Sequence, residues 1–364
     1  MVNKSKILLD MPNHKRSLPL MDIFLDRVSK GPIAITIKIN SICNLKCEFC
    51  WVHSPLINNN PPRNILPLSC IKKIIKDVKE LSSINSITLS AEGEISLHPK
   101  ITEIIDFIKE KGFFLQLNSN LTFDKDFLRL SFAKADKLLV NICAHDENVY
   151  SKLCHPSSKK AYHNLIRNLK LFSALRITEG KPDIMLNCVI TRNNYSYLEA
   201  MLEFADSLNI PRLRFVALGP TPYTKKLLLR EKEFNAFKKI IKNVSCSKYR
   251  VKAEITEFIG IKENNDPQLK SCFAAWLRVL VASDGSIIFC HRNTELKAGN
   301  LKNDSLKNIW FSKKAHALRL KLKYDLDSCR PPFIKCRSCD HTKEYLKIEN
   351  ACEELRKYYE QKSI

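Results

Sequence analysis

The chain has 364 residues, of which 45% are hydrophobic and 27% are charged, and its formal net charge is +22. This composition is typical of a folded globular protein and excludes a disordered one. The length suits a barrel of ordinary size with a smaller module. No apolar run is long enough to span a bilayer, and Asp10 and Pro12 interrupt the stretch where a signal peptide needs a continuous apolar core. We therefore expect a cytoplasmic protein with no membrane partner.

Cysteine is abundant and glycine is scarce. The 14 cysteines, in a chain without a secretion signal, indicate metal or redox chemistry rather than a disulfide framework. The 8 glycines form neither a G-x-G-x-x-G motif nor a P-loop, which argues against phosphate-loop ATP chemistry. The positive charge could steer an anionic substrate, a nucleic acid or an acidic peptide, or simply solvate the surface. No nucleic-acid-binding motif is present, so we do not expect a nucleic-acid partner.

Strand and helix patterns alternate along most of the chain. Residues 1–30 are polar and are predicted to form an N-terminal arm. The regular alternation that follows favours a parallel sheet with helices packed outside it. The predicted strands are residues 33–40, 84–90, 113–118, 137–143, 183–191 and 212–217. The predicted helices are residues 68–81, 101–111, 127–135, 163–175, 195–208 and 231–243.

The first predicted strand runs into three closely spaced cysteines, Cys43, Cys47 and Cys50, with the pattern C-x3-C-x2-C. Thiolates are the usual ligands of iron–sulfur clusters. Three of them in one loop can hold three irons of a four-iron cluster and leave the fourth iron open for a substrate or cofactor. Because His53 follows the last cysteine, ligand type alone also allows a zinc site with three cysteines and one histidine.

This spacing, with Phe49 before the last cysteine and a strand before the first, resembles the radical SAM enzymes. Residues 91–99, AEGEISLHP, are similar to the Gly-Gly-Glu-Pro stretch of that family and its trailing Leu-His-Pro. Gly93 and Glu94 match the motif, whereas Glu92 and Ile95 depart from it. Two motifs in the family's order favour this interpretation over a zinc site.

The resemblance implies an α/β fold, a partial (β/α)6 barrel with six strand–helix units. It implies that the three cysteines hold a [4Fe–4S] cluster whose open iron binds S-adenosylmethionine (SAM). An electron from a donor such as flavodoxin or ferredoxin then cleaves SAM to a 5′-deoxyadenosyl radical. The cofactor carries the hard chemistry. Glu94 is expected to bind the methionine amino group, with Gly93 and Phe49 beside the cofactor.

Active sites of parallel barrels collect at the C-terminal ends of the strands. Asn118-Ser119-Asn120 follows the third strand, where family members often show Thr-Asn-Gly, and Asn141 stands where a polar residue commonly meets the cofactor ribose. Such amides and hydroxyls can instead cap turns or helices. The candidates for cofactor binding at strand ends are Asn118, Ser119, Asn141, Asn187 and Thr191, and Arg214 is a catalytic candidate that could accept a proton.

Two cysteines on predicted barrel strands are further catalytic candidates. Cys143 and Cys188 could return a hydrogen atom to a substrate radical if one of them faces the cavity. The alternative is that both pack in the core, where free cysteine is common.

A second group of cysteines follows the barrel, which is predicted to span residues 31–262 and to end in the polar stretch 261–268. Asp284-Gly285 is a strong hairpin signal between predicted strands 279–283 and 286–289. The hairpin would bring Cys272 and Cys290 together, and Cys336 and Cys339 form a C-x2-C pair after a predicted helix, residues 305–322. Four thiolates in two pairs suit a [4Fe–4S] cluster, a [2Fe–2S] cluster or one structural zinc.

The spacing of Cys272, Gly285 and Cys290 resembles the opening of the SPASM and twitch extensions of radical SAM enzymes, which hold auxiliary clusters. The further cysteine run of a full SPASM module stops after Cys339. The resemblance therefore implies a small α+β twitch-like domain, residues 263–345, with one auxiliary [4Fe–4S] or [2Fe–2S] cluster. Cys329 could replace one of the four ligands. Residues 346–364 are predicted to form a C-terminal helix.

An auxiliary cluster can accept one electron, which favours oxidation of the substrate, as in a dehydrogenase, over epimerisation by thiol return. About thirty residues precede the first strand, too few for an independent leader-binding domain. We therefore expect a small, anionic metabolite as substrate. A ribosomal peptide that is crosslinked or epimerised with a separate leader-binding partner is the second expectation. A zinc- or cluster-bearing nucleic-acid-binding protein is the non-enzyme alternative.

Overall fold

The computed structural model describes residues 17–57, 61–81, 84–219, 221–244, 249–255, 269–330, 336, 339 and 341–362. The chain divides into two compact units. The barrel unit comprises Ile37–Ile71 and Ser86–Asn264, and the second unit comprises Met1–Thr36, Lys72–Asn85 and Asn265–Ile364. Most of the predicted arm and the predicted boundary at residues 261–268 lie outside the described residues, and the predicted domain limits stay predictions.

Parallel strands form the centre of the barrel unit. The strands are β1 Ala34–Lys38, β2 Ser86–Ser90, β3 Phe114–Ser119, β4 Lys137–Asn141, β5 Asp183–Ile190, β6 Arg212–Ala217 and β7 Lys252–Ile255. Each neighbouring pair from β2 to β7 is parallel, and the strand order follows the chain. The first six strands lie where the sequence predicts them, and the α/β partial-barrel fold is confirmed. Strand β7 was missed because its sequence, KAEI, is short and half polar.

Helices alternate with these strands and continue into the second unit. They are α1 Ser17–Phe24, α2 Leu68–Leu81, α3 Ile101–Glu110, α4 Asp126–Ala133, α5 Glu147–Cys154, α6 Ala161–Glu179, α7 Leu198–Ser207, α8 Glu231–Val244, α9 Ala274–Leu277, α10 Leu306–Phe311, α11 Lys313–Tyr324 and α12 Thr342–Lys362. Helix α3 shows why the pattern predicts a helix, since its four buried isoleucines recur with helical spacing on one face. None of the helices among the described residues is both long and apolar enough to cross a membrane.

The strands present one buried face and one polar face. In β4, Leu138 and Val140 are buried, whereas Lys137 and Leu139 are partly exposed and Asn141 is exposed. Successive strand residues point to opposite faces, so the buried set packs under the helices and the other set lines the interior of the barrel. Polar side chains on this second face are therefore available to ligands.

The second unit contains three consecutive antiparallel strands, β8 Arg278–Val281, β9 Ser286–Ile288 and β10 Lys297–Asn300. Gly285 has φ +85° at the predicted hairpin turn, a conformation that favours glycine. The predicted helix 305–322 is two helices, α10 and α11. The break falls at Ser312, whose hydroxyl caps α11 by accepting a hydrogen bond from the amide of Ala315 at 3.1 Å.

One buried amide holds the chain that follows β3. Asn168 on α6 donates from Nδ2 to the carbonyls of Leu121 at 2.8 Å and Phe123 at 2.7 Å. Its Oδ1 accepts from Nε of Arg129 at 2.7 Å. All of these groups are in the barrel unit, directly beyond the strand end that carries candidate site residues.

Replacing Asn168 with alanine removes the partner of two buried carbonyls and of a buried guanidinium. We expect Asn168→Ala to lower the free energy of unfolding by about 2–4 kcal/mol. The exposed control Lys170→Ala should change it by less than about 0.5 kcal/mol. Urea unfolding followed by circular dichroism measures both, and equal midpoints for the two variants would contradict this role.

Candidate cluster and SAM site

Cys43, Cys47 and Cys50 lie in one loop after β1, here called the cysteine loop. Backbone amides point at its sulfurs. The amide of Leu45 donates to Sγ of Cys43 at 3.4 Å, and the amide of His53 donates to Sγ of Cys50 at 3.2 Å. Hydrogen bonds of this kind favour the charged form of an acceptor. The loop is therefore shaped to hold sulfur as thiolate.

The thiols of the cysteine loop need a cation to become thiolates together. Burial raises the pKa of Cys43, the Leu45 amide lowers it, and the charges of Glu94, Cys47 and Cys50 raise it, so that together they bring it to about 12. Burial also raises the pKa of Cys50. Iron supplies the compensating positive charge, since metal binding releases the thiol protons. The donor set thus fits the cluster that the sequence predicts.

Gly93 allows the chain after β2 to contact the cysteine loop directly. A Cβ at position 93 would lie 1.9 Å from the carbonyl oxygen of Ile42. The same oxygen accepts a hydrogen bond from the amide of Glu94 at 2.7 Å. Asn40 completes the contact, because its Nδ2 donates to the Glu94 carbonyl at 3.0 Å and its Oδ1 accepts from the Ile42 amide at 2.9 Å. Close backbone approach, rather than an unusual φ, requires glycine here.

Glu94 is 2% exposed, and its carboxylate accepts three hydrogen bonds. The donors are the Ser119 hydroxyl at 2.6 Å, the Asn120 amide at 2.7 Å and the Ser96 amide at 3.0 Å. Burial raises the pKa of Glu94, and these hydrogen bonds lower it. A carboxylate offers about four lone-pair sites, so roughly one is left for a ligand. Binding of the methionine amino group by Glu94 stays a prediction. The hydrogen bonds by which Glu94 connects the end of β3 to the turn after β2 are observed.

Three of the predicted strand-end residues form a polar row across β4, β5 and β6. Nε of Arg214 donates to Oδ1 of Asn187 at 2.9 Å, and Nδ2 of Asn187 donates to Oδ1 of Asn141 at 3.1 Å. The strand register aligns these residues directly. The sequence predicts them on three successive strands, and the structure shows that they are connected.

The other strand-end candidates bond mainly within the protein. Oδ1 of Asn118 accepts from Nε2 of Gln116 at 2.9 Å, and Ser119 donates to Glu94. The amide of Thr191 donates to Oδ1 of Asn194 at 2.7 Å. Phe49 is partly exposed within the cysteine loop. Cofactor binding by these residues stays a prediction.

The two cysteines predicted as hydrogen-atom donors are buried. Cys188 lies on β5 next to Asn187, and because strand residues alternate in direction it occupies the opposite face from the polar row. The sulfur of Cys143 lies 3.1 Å from that of Cys154. This geometry gives the donor role no support, and the role stays an untested prediction.

In the second unit, Cys272, Cys290, Cys336 and Cys339 lie within electrostatic reach of one another, and are here called the cysteine quartet. Burial raises the pKa of the Cys272 thiol, and the charges of the other three raise it further. The pKa of Cys336 is raised to about 11. Burial raises it most, the charge of Arg330 lowers it, and the charges of Cys290 and Cys339 raise it. The quartet suits a cluster because it gathers four thiols.

Cys329 is placed differently from the quartet. It is buried on a short 3₁₀ helix, Asp327–Cys329, and its sulfur lies 3.9 Å from the Ser328 hydroxyl. Its role as a substitute ligand stays a prediction. Among the residues that the structure describes, no three Cys, His, Asp or Glu side chains converge on a position for a single metal ion. A cluster distributes its thiolates over several irons and does not need such convergence.

Sequence analysis missed helix α5, which lies against the cysteine loop. The amides of Lys46 and Glu48 donate to the carbonyls of Cys154 and Leu153, both at 2.9 Å. The helix is only eight residues long, so its apolar periodicity is weak. Asp146 was the available signal, since its carboxylate caps the helix.

Comparison with known proteins gives two family matches. The sequence model of the radical SAM superfamily matches residues 37–205, and that of the SPASM iron–sulfur cluster-binding domain matches residues 272–340. A protein of Methanocaldococcus jannaschii, whose name assigns it to the glycyl-radical enzyme activating enzymes, is 30% identical over 244 residues, which covers 62% of this chain and 86% of that protein. A Saccharolobus islandicus protein whose name assigns it to the GTP 3′,8-cyclases is 24% identical over 226 residues, covering 62% and 69%.

The structure of Streptococcus suis SuiB shares the fold. Its SAM-bound form has a TM-score of 0.63 at 16% identity, covering 80% of this chain and 68% of SuiB. Its form with the precursor peptide SuiA has a TM-score of 0.63 at 15% identity, covering 87% and 72%.

Gly93→Ala should prevent the cysteine loop from closing on β2, because the added methyl group collides with the Ile42 carbonyl. We expect iron uptake by the cysteine loop on anaerobic reconstitution to fall at least about tenfold, a loss of about 1.4 kcal/mol or more. Gly112→Ala is the matched control, because its φ is +76° but nothing lies within 4 Å of an added Cβ. Equal iron uptake at this site in both variants would contradict the role of Gly93.

The cysteine quartet gives a separate expectation. Cys272→Ala combined with Cys290→Ala should remove the auxiliary iron and leave the cluster of the cysteine loop intact. Cys329→Ala, in the same unit, should retain all of the iron. Iron analysis and Mössbauer spectroscopy distinguish these outcomes. Loss of iron in Cys329→Ala, or none in the double variant, would show that the ligand set is wrong.

Proposed function

Because this chain belongs to the radical SAM superfamily, we propose that it abstracts a hydrogen atom from an anionic small molecule held inside the barrel. Cys43, Cys47 and Cys50 are the proposed ligands of its SAM-binding [4Fe–4S] cluster. That cluster, when bound, supplies the electron that cleaves SAM to a 5′-deoxyadenosyl radical. The proposed electron donor is a flavodoxin or ferredoxin.

The polar row of Asn141, Asn187 and Arg214 is the observation that carries the substrate class. A guanidinium presents planar donors that match carboxylate and phosphate groups. The bond to Asn187 occupies Nε and fixes the plane of the group, and the four further N–H donors of the guanidinium form no hydrogen bond to the residues that the structure describes. The row crosses β4 to β6, on the strands whose C-terminal ends carry active sites in parallel barrels.

Other charges inside the barrel support a role for Arg214 in binding. Nζ of Lys38 lies 3.4 Å from Oε1 of Glu92, and the guanidinium of Arg212 forms an ion pair with the carboxylate of Asp183. Within the described part of the chain Arg214 forms no ion pair, although Glu254 is its register partner on β7, and its Nε is hydrogen bonded to a neutral amide. An anionic substrate would therefore meet a cation that is positioned by Asn187.

Arg214 is better suited to binding than to the proton transfer predicted from the sequence, because a guanidinium stays protonated. Lys137, whose pKa is lowered by burial, begins β4 and therefore lies at the opposite end of the strand from Asn141. Oxidation of a substrate radical releases a proton, and a cluster in the SPASM region would accept the electron.

A peptide substrate is the second candidate. SuiB, which shares the fold, has been solved with its precursor peptide. An acidic peptide delivered by a partner protein would meet the same cation at Arg214. Crosslinking or epimerisation would then replace net oxidation as the outcome.

The reconstituted, dithionite-reduced protein should convert SAM to 5′-deoxyadenosine under anaerobic conditions. Cys47→Ser should lose this activity at least about a hundredfold, since the cluster would lose a ligand. Cys70→Ser, a partly exposed cysteine on α2, is the control and should retain it. A fully loaded wild-type protein that forms no 5′-deoxyadenosine would contradict the proposal.

The substrate class needs a separate arm of this experiment. Nucleotides, sugar phosphates and acidic peptides should be compared for stimulation of SAM cleavage. With the active compound, Arg214→Leu should raise KM at least about tenfold, the loss of one charge-assisted hydrogen bond. Basal cleavage should be unchanged. A neutral compound that is processed equally well by the variant would overturn the anionic class.

A further inference from the structure

The hydroxyl of Tyr150 is a buried polar group that the roles described above do not use. Tyr150 lies on α5 and is 0% exposed. Within the described part of the chain, its hydroxyl has no hydrogen-bond partner. Buried hydroxyls nearly always have one. An acceptor that binds with the cofactor would therefore satisfy this group.

Cys154 lies one turn further along the same helix and is also buried. Its sulfur is 3.1 Å from that of Cys143. The neighbouring thiols of Cys143 and Cys47 raise its pKa, and so does burial. Cys154 thus lies near both a proposed cluster ligand and a second buried thiol.

Helix α5 is hydrogen bonded to the two residues that flank Cys47 in the sequence. The amides of Lys46 and Glu48 donate to carbonyls of the last turn of α5, both at 2.9 Å. Cys47 is therefore fixed against the end of the helix that carries both Tyr150 and Cys154. Burial raises the pKa of Tyr150, and the charges of Cys154, Cys47 and Cys143 add to this increase. The phenol consequently lies near all three thiols, of which Cys143 and Cys154 are buried and Cys47 is partly exposed.

We propose that Tyr150 and Cys154 donate hydrogen bonds to the sulfur atoms at the Cys47 corner of the cluster and thereby raise its reduction potential. The inference rests on the proposed function, since it assumes that Cys47 ligates this cluster. Hydrogen bonds to ligand sulfur withdraw electron density and stabilise the reduced form, which carries one more negative charge. Both residues act through the cluster and are positioning residues, not catalytic ones.

The two donors should contribute unequally. A phenol O–H is a good donor, whereas a thiol S–H is a weak one. Cys143 can donate to Cys154 while Cys154 donates to Cys47, so the thiol pair forms a short chain that ends at the cluster ligand. We therefore expect removal of the Tyr150 hydroxyl to have the larger effect.

The test is a potentiometric titration of the reconstituted full chain, in which electron paramagnetic resonance follows the reduced cluster. Tyr150→Phe should lower the midpoint potential by about 59 mV, which is a tenfold change in the one-electron equilibrium. Cys154→Ala should lower it less, and Cys154→Ser, which keeps a donor, should leave it equal or higher. Tyr162→Phe is the control. The centroids of the Tyr162 and Tyr150 rings are 5.3 Å apart, but the Tyr162 hydroxyl already donates to the carbonyl of His145, so its loss should leave the potential unchanged.

An unchanged potential in Tyr150→Phe with full iron content would overturn the inference and leave the proposed function standing. If Tyr150→Phe does not assemble its cluster, the two Cys154 variants decide instead. The midpoint potential of Cys154→Ala should then be lower than that of Cys154→Ser, and equal potentials in those two variants would overturn the inference. Failure of the proposed function gives a different result, because the wild type itself would then lack the cluster signal or form no 5′-deoxyadenosine.

Discussion

The contact between Gly93 and the carbonyl of Ile42 holds the cysteine loop against the end of β2. It brings the Glu94 amide to the same carbonyl and turns the Glu94 side chain toward β3. There, the Asn120 amide donates to the carboxylate, and Nδ2 of Asn120 donates to Asn44 of the loop at 3.0 Å. Two strand ends and the loop thus form one hydrogen-bonded assembly. A loop fixed in this way presents three thiols, which under the proposed function would ligate three irons and leave the fourth iron for SAM.

Helix α5 is the second element that supports the cysteine loop, and it places buried polar groups beside it. Buried thiols, a buried phenol and a buried carboxylate are gathered where charge is costly. Such a set is stable only when hydrogen bonds and a bound cation compensate for it. A cluster held by the three thiols of the cysteine loop would supply positive iron and acceptor sulfur in one group, and would so compensate the polar side chains that collect here.

The fold could be predicted from the sequence because strand and helix periods alternate clearly. Asn141, Asn187 and Arg214 could be placed on adjacent strands, but their hydrogen bonds depend on side-chain conformations that no pattern encodes. Helix α5 was missed because eight residues give little periodic signal, and its contacts with Cys47 are distant in sequence. Ser312 was read as part of one helix because its capping role depends on a change in chain direction.

The central claim is that the cysteine loop leaves one iron of the cluster open to SAM. Electron–nuclear double resonance on the reduced cluster, with SAM labelled with ¹⁵N and ¹⁷O in its methionine part, tests this most directly. The account predicts hyperfine coupling of the cluster to both the amino nitrogen and a carboxylate oxygen. A reduced, fully loaded cluster that shows no coupling to either label would contradict it.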